Sequence, residues 1–262
     1  MAVYCTAAAA ADAVLRTNTE EFFPEALEAA GAWTRQCGAA TPRLLDGVPV
    51  SIKDQFVQRG ADSTCGLAAH VFDPAEADGV LVELLRDAGA IPFVRTNVPQ
   101  ALLLPESDNA VYGRTDNPYD RMRTPGGSSG GEGALIAARG SVLGIGTDIG
   151  GSIVCARLGC SAAQGVHCVC AHWVPRRARG PLCVRALGAP PRKGGLTARA
   201  YLQRIPASFS GVYGFKPTPT RITSLGVRAP SVLKYRGQVR ALRGARGRAL
   251  HARRALARAR RR

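Results

Sequence analysis

From Val154 to Arg262 the sequence contains no aspartate and no glutamate; all nineteen acidic residues lie between Asp12 and Asp148. Residues 1–153 carry 11 Lys and Arg against those 19 acids, a formal charge of −8, whereas residues 154–262 carry 24 Lys and Arg and stand at +24. Folded domains are about 25% charged with both signs interspersed. A stretch of 109 residues without one carboxylate has no internal partner for its cations. The ordinary folded core is therefore sought in the first part of the chain.

A chain of 262 residues has room for one large domain or two small ones. No run reaches the roughly 18 consecutive apolar residues of a membrane helix. The start, MAVYCTAAAAADAVLRT, has no basic n-region and Asp12 breaks its apolar run, so no secretory signal is expected. An intracellular location, cytoplasmic or membrane-associated, is favoured. Cys5, Cys37 and Cys65 are widely spaced, as suits a reducing compartment, and the other five cysteines fall between Cys155 and Cys183.

Apolar periodicity in the first part gives an α/β rhythm. Residues 19–37 read as a helix with Phe22, Leu27, Ala30 and Trp33 roughly on one side. GVPVSIKD at 47–54 reads as a buried strand ending at Lys53. Asp78 is expected to cap a helix whose apolar face is Val80, Leu81, Leu84 and Leu85, with Gly89 as its stop. AIPFV follows as a strand, Glu132–Arg139 as a helix closed by Gly140, and SVLGIG as another strand.

Most of the chemistry lies in TPGGSSGGEGALIAARGSVLGIGTDIGGSI. Two glycine-rich loops carry serines, Ser128–Ser129 and Ser152, with a predicted helix and strand between them. Glycine permits positive φ and lets backbone N–H groups face a ligand, the equipment of an anion nest or oxyanion hole. One such loop alone would read as a tight turn; two linked in this way point to a site. The stretch lacks the Lys of a phosphate loop, and Ile149 stands where a dinucleotide fingerprint needs its third glycine. GSSGG at 127–131 formally matches a nucleophile elbow with Ser129 as nucleophile. That arrangement needs a His later in the chain, and the acidic part holds only His70, which precedes the serines. A serine nucleophile without histidine requires another base, and Lys53 beside a buried strand is the candidate. On spacing alone, a lysine there is more often the structural partner of a carboxylate.

Together GVPVSIKD, TNVPQ, PGGSSGGEGALI, GTDIGGSI and GVYGFKPTPTR resemble the amidase signature family, and in particular its fatty acid amide hydrolase branch. The likeness spans Leu15–Ile153 and Arg204–Gln238. It implies an α/β fold in which helices cover a mixed sheet, incomplete in this chain. It also implies a Ser–Ser–Lys triad, with Ser152 as nucleophile, Ser128 as bridging serine after a cis Gly127–Ser128 peptide, and Lys53 as base. Backbone N–H groups of Ile149, Gly150, Gly151 and Ser152 would hold the oxyanion. The resemblance implies no cofactor and no metal. The implied partner is a small-molecule amide, with an apolar acyl chain in the fatty acid amide branch, and peripheral membrane contact is left open.

Family members continue GGSI with Arg, a small apolar residue and Pro; here Val154 follows Ile153, and RIP stands at Arg204. Removing Val154–Gln203 restores an uninterrupted GTDIGGSIRIPASFSGVYGFKPTPTR. Every Val codon begins with GT and Gln can be encoded by CAG, the letters expected at intron ends, so 154–203 reads as an intron translated in frame. The rival reading is a zinc module using Cys160, His167, Cys168, Cys170, His172 and Cys183, but HCVCAH lacks the paired ligand spacing of a finger. Residues 240–262 are almost entirely Arg, Ala, Leu and Gly. This tail has no aromatic for base stacking and is expected to be out of frame or disordered rather than a nucleic-acid arm.

The expected organisation is thus 1–153 as the N-terminal part of an amidase domain with its catalytic core, 154–203 as the insert, 204–239 as the resumed amidase segment, and 240–262 as the tail. The expected function is amide hydrolysis through an acyl-enzyme. The chain as written is expected to be inactive or poorly folded, because the family domain runs on beyond KPT. The alternative is a non-catalytic protein that binds nucleic acid or zinc through its basic, Cys/His-containing second half.

Overall fold

The computed structural model describes residues 1–36, 43–148, 167–172, 201–215 and 225–228. The chain divides into two units, Met1–Arg228 and Ala229–Arg262, and the second lies outside the described residues. The first is built on a mixed sheet. Its elements in chain order are α1 (Ala2–Leu15), β1 (Asn18–Glu21), α2 (Phe23–Gln36), β2 (Pro49–Lys53), α3 (Val80–Asp87), β3 (Ile91–Thr96), β4 (Asp108–Asn109), β5 (Gly113–Arg114), α4 (Gly130–Ala137), β6 (Leu143–Asp148), β7 (His167–His172), α5 (Tyr201–Ser210) and β8 (Tyr213–Phe215). The main sheet has the order β1-β3-β2-β6-β7-β8, and β4 and β5 form a small hairpin. Strand β2 lies parallel to both β3 and β6, while β1 and β7 pair antiparallel with β3 and β6. Segment 167–172 of the interruption thus carries a strand of this sheet.

Alternation along the central strands separates two apolar layers. Val50 and Ile52 of β2 and Ile145 of β6 pack with Leu81, Val82 and Leu85 of α3 and with Phe56. Ile91, Phe93 and Val94 of β3 pack with Cys5, Ala8 and Ala11 of α1, Ala26 of α2 and Leu135 of α4. At an accessible-surface coefficient of about 25 cal/mol per Å², each such large side chain contributes roughly 1.5–3 kcal/mol on burial. Val50 pairs with Pro92 and Ser51 with Val94, so the register slips at Phe93, next to a proline that has no N–H for the ladder. Among the described residues no helix is long and apolar enough to cross a membrane.

Three local expectations are corrected. Residues 18–21 form β1 rather than the start of a helix, because they pair with β3 and Phe22 N–H donates to Phe93 O at 2.9 Å. The helix then begins at Phe23, where Pro24 suits a first turn whose N–H groups need no helical partner. Its buried side uses Ala26, whereas Leu27 is exposed. Asp78 does not cap α3; Gly79 occupies the N-cap. The Asp78 carboxylate accepts from Arg59 N–H at 2.8 Å and from Arg86 Nε at 3.0 Å. The buried face of α3 is Leu81, Val82 and Leu85, with Leu84 turned to solvent. Finally, the left-handed residue closing α4 is Arg139, φ 65°, rather than Gly140. Gly140 follows it and packs closely: a Cβ there would push against Leu135 Cδ1.

Candidate active site

Because β2 is central and parallel to both neighbours, its C-terminal end opens at the edge where ligands meet α/β sheets. Lys53 is the last residue of β2 and has no solvent exposure. Ser51 and Lys53 share the face opposite Val50 and Ile52, and α4 lies over that face. Lys53 Nζ stands 2.7 Å from Ser128 Oγ and donates to Thr147 Oγ1 at 2.8 Å. Thr147 donates its own proton to Gln55 Oε1 at 2.6 Å. With its single hydrogen spent there, the Thr147 oxygen is left as an acceptor toward the lysine.

Ser128 belongs to the loop before α4, and its peptide bond to Gly127 is cis, as the resemblance implied. The loop is pressed against its surroundings. A Cβ at Gly127 would strike Glu106 O, and one at Gly131 would strike Asn97 N. Ser107 Oγ accepts from Gly130 N–H at 2.9 Å. Ser129, the formal elbow nucleophile, has its hydroxyl against the backbone of Thr147, at 3.3 Å from the N–H and 3.4 Å from the carbonyl. The segment after residue 204 returns to the same loop: Ile205 and Pro206 lie against Gly126, and Asn117 Nδ2 donates to Phe209 O at 3.0 Å.

Below this pair sits a second polar layer that the sequence reading did not single out. Glu132, in the first turn of α4, accepts from Ser51 Oγ at 2.6 Å and from Thr96 Oγ1 at 2.8 Å. Burial pushes its carboxyl up to about 7, against the opposing pull of those two hydroxyls and the Lys53 charge. A sequence signal did exist for it, since Ser51 interrupts the apolar run of β2 and a buried hydroxyl needs a partner. On the other side of the sheet, Arg95 is fully buried, 3.1 Å by its Nε from Glu20 Oε2 and 3.7 Å by Nη2 from Asp54 Oδ1. It also donates to Phe56 O at 2.7 Å and Ser63 Oγ at 3.0 Å, and Asp54 accepts from Cys65 N–H at 2.6 Å. This cluster anchors loop 54–65 beside the site.

The structure therefore brings Lys53 and Ser128 together. Ser152 and the oxyanion candidates Ile149, Gly150 and Gly151 lie outside the described residues. Of the residues proposed for zinc, Cys160 and Cys183 also lie outside them. Among the described residues no group of three or more His, Cys, Asp or Glu converges as a metal site.

A mixed sheet with a buried lysine meeting a glycine-loop serine at the end of its central strand defines an α/β protein organised around a Ser–Lys pair. Residues 1–156 match the family model described as Amidase, and the chain belongs to that family. It is similar to fatty-acid amide hydrolase 1 of Sus scrofa, 40% identical over 192 residues, covering 73% of this chain and 24% of that protein. It is also similar to amidase 1 of Gibberella moniliformis, 50% identical over 151 residues, covering 56% of this chain and 29% of that protein. A solved structure of fatty acid amide hydrolase superposes with a TM-score of 0.54 at 31% identity, covering 56% of this chain and 26% of that one. The chain spans about a quarter to three tenths of the length of these curated relatives.

Proposed function

We propose that this chain is part of a serine hydrolase that cleaves carboxylic amides through an acyl-enzyme, with Ser152 as nucleophile, Ser128 as proton relay and Lys53 as base. The observation that carries this reading is the 2.7 Å contact between Lys53 Nζ and Ser128 Oγ at a lysine with no solvent exposure. Desolvation disfavours an ammonium ion and so favours the neutral amine that a base requires. Lys53 takes the Ser128 proton as Ser128 takes that of Ser152. The Ser152 oxygen attacks the amide carbon, and the proton returns through Ser128 to the departing nitrogen. Backbone N–H groups of Ile149, Gly150, Gly151 and Ser152 stabilise the oxyanion. Water then releases the acid and regenerates Ser152. The finer assignment, a long-chain fatty acid amide, rests on the PGGSSGGEGALI and GTDIGGSI letters and on the similarity to the porcine fatty-acid amide hydrolase.

The reading extends to the interruption: 154–203 is an insert whose removal joins Ile153 to Arg204. A fluorophosphonate probe tests the core of the proposal on both the 262-residue chain and the joined form. Covalent labelling that is lost in Ser152→Ala, and strongly slowed in Ser128→Ala and Lys53→Ala, is expected of the joined form. Labelling indifferent to Ser152, or salt-sensitive nucleic-acid binding without labelling, would overturn it. Competition by long-chain over short-chain amides tests the acyl preference.

A further inference from the structure

The Glu132 carboxyl, buried below the Lys53–Ser128 pair, has no part in the mechanism above. It is 3% exposed and is held on both oxygens, by Ser51 at 2.6 Å and Thr96 at 2.8 Å. Those two hydroxyls bracket Lys53. Ser51 precedes it by two residues on the same face of β2, about 6.6 Å along the strand, and Thr96 is its partner across the β2–β3 ladder. On the third side Gly144, paired with Ser51 across the β2–β6 ladder, has only a hydrogen where a Cβ would collide with Glu132 Oε2. Three strands are therefore shaped to seat one carboxyl beside the root of the lysine.

We propose that Glu132 is a positioning residue that sets the proton affinity of Lys53: its carboxylate form holds a proton on the amine, and its protonated form lets the amine go neutral. The functional meaning of this coupling rests on the reading of Lys53 as base. In a water-poor site two neighbouring groups of opposite charge favour ionisation of each other. Burial raises the Glu132 carboxyl, and the Lys53 charge pulls it back down. On the neighbouring elements, Glu20 of β1 pairs with Arg95 and Glu21 accepts from Asn18 Nδ2 at 2.8 Å. Asp54, in the turn just past the end of β2, pairs with Arg95 of β3, and Asp12 of α1 accepts from Asn18 N–H at 2.7 Å.

The test is the titration of Lys53 itself, followed by NMR in the full chain with ¹⁵Nζ- and ¹³Cε-labelled lysine, the signal being assigned by its loss in Lys53→Arg. In Glu132→Gln, which keeps the shape and removes the charge, Lys53 is expected to lose its proton at a pH lower by about one or more, the size that a close opposite charge produces. An unchanged midpoint in a folded Glu132→Gln overturns the proposal. Should that variant fail to fold, the wild-type chain decides: the Glu132 ¹³Cδ and Lys53 signals must each show the other's titration step, and independent single-step curves overturn it. Neither measurement uses catalysis, so absent fluorophosphonate labelling would sink the assigned chemistry while leaving this coupling decided on its own.

Discussion

Thr147 donates its hydroxyl proton to Gln55 Oε1 at 2.6 Å, although 92 residues separate the two. This single bond fixes what Thr147 offers to Lys53: an oxygen lone pair rather than a hydrogen. The lysine accordingly donates to Thr147 at 2.8 Å while Ser128 Oγ lies 2.7 Å from the same nitrogen.

Thr147→Val removes that acceptor and leaves Gln55, which is 1% exposed, without its hydroxyl. Loss of a buried hydrogen-bond partner costs about 1–3 kcal/mol. Urea unfolding should register that loss, and fluorophosphonate labelling should slow by roughly tenfold or more for a misplaced base. Labelling at the wild-type rate would remove Thr147 from the site.

Glu132 makes stability depend on pH in a direction opposite to that of ordinary salt-bridged acids. Its carboxyl, at about 7 in the folded chain against an ordinary 4.5, binds its proton more tightly when folded than when unfolded. The contribution is therefore complete below about 4.5 and is lost as pH rises to about 7. At about 1.4 kcal/mol per pKa unit, this amounts to about 3 kcal/mol. Chemical denaturation of wild type and Glu132→Gln across pH 4–8 should show the variant gaining on wild type through that window. A constant difference would count against the buried acid.

Arg95 is the cation of a buried cluster, and Arg95→Ala strands Asp54 and Glu20. Breaking a buried pair from one side costs about 3–5 kcal/mol. Burial already raises the Glu20 carboxyl, with the Arg95 charge pulling it back. Without the arginine the carboxyl rises further, so the loss should be smaller at acidic pH than at neutral pH. Thermal melts at two pH values check both the size and the sign.

Gly131→Ala tests the closeness of the serine loop to its support. The new methyl would meet Asn97 N and O and Thr17 O, all backbone atoms that cannot rotate away. Overpacking of this kind costs about 1–3 kcal/mol. It should also displace Ser128 from Lys53, so labelling should fall by more than stability alone accounts for. A variant that melts and labels like wild type would show that the loop tolerates the shift.

Much of this site was legible locally. GVPVSIKD announces a buried strand because its apolar, β-branched residues have no other use, and the strand ends at Lys53 as expected. The serine loop was equally visible in its glycines, although their reason differs in part from the one the letters suggest. Gly126 does take a positive φ of 87°, but Gly127 and Gly131 are needed because backbone passes where their Cβ atoms would be. The start of α2 and the role of Asp78 were misread because local signals cannot anticipate a remote partner. Asn18–Glu21 is recruited by β3, and the Asp78 carboxylate by Arg59 and Arg86.

What the sequence determined by itself is the set of elements and the parity of their faces: Ser51 and Lys53 on one side of β2, Val50 and Ile52 on the other. Period-two alternation is a property of the backbone and needs no knowledge of neighbours. Only the tertiary structure decided what meets those faces. Lys53 reaches Ser128 and Thr147, 75 and 94 residues away, and Glu132 closes over Ser51 and Thr96. Those meetings depend on strand register and on a helix docking at one depth, both set by long-range packing. A polar side chain is indifferent to which partner satisfies it until the chain has folded around it.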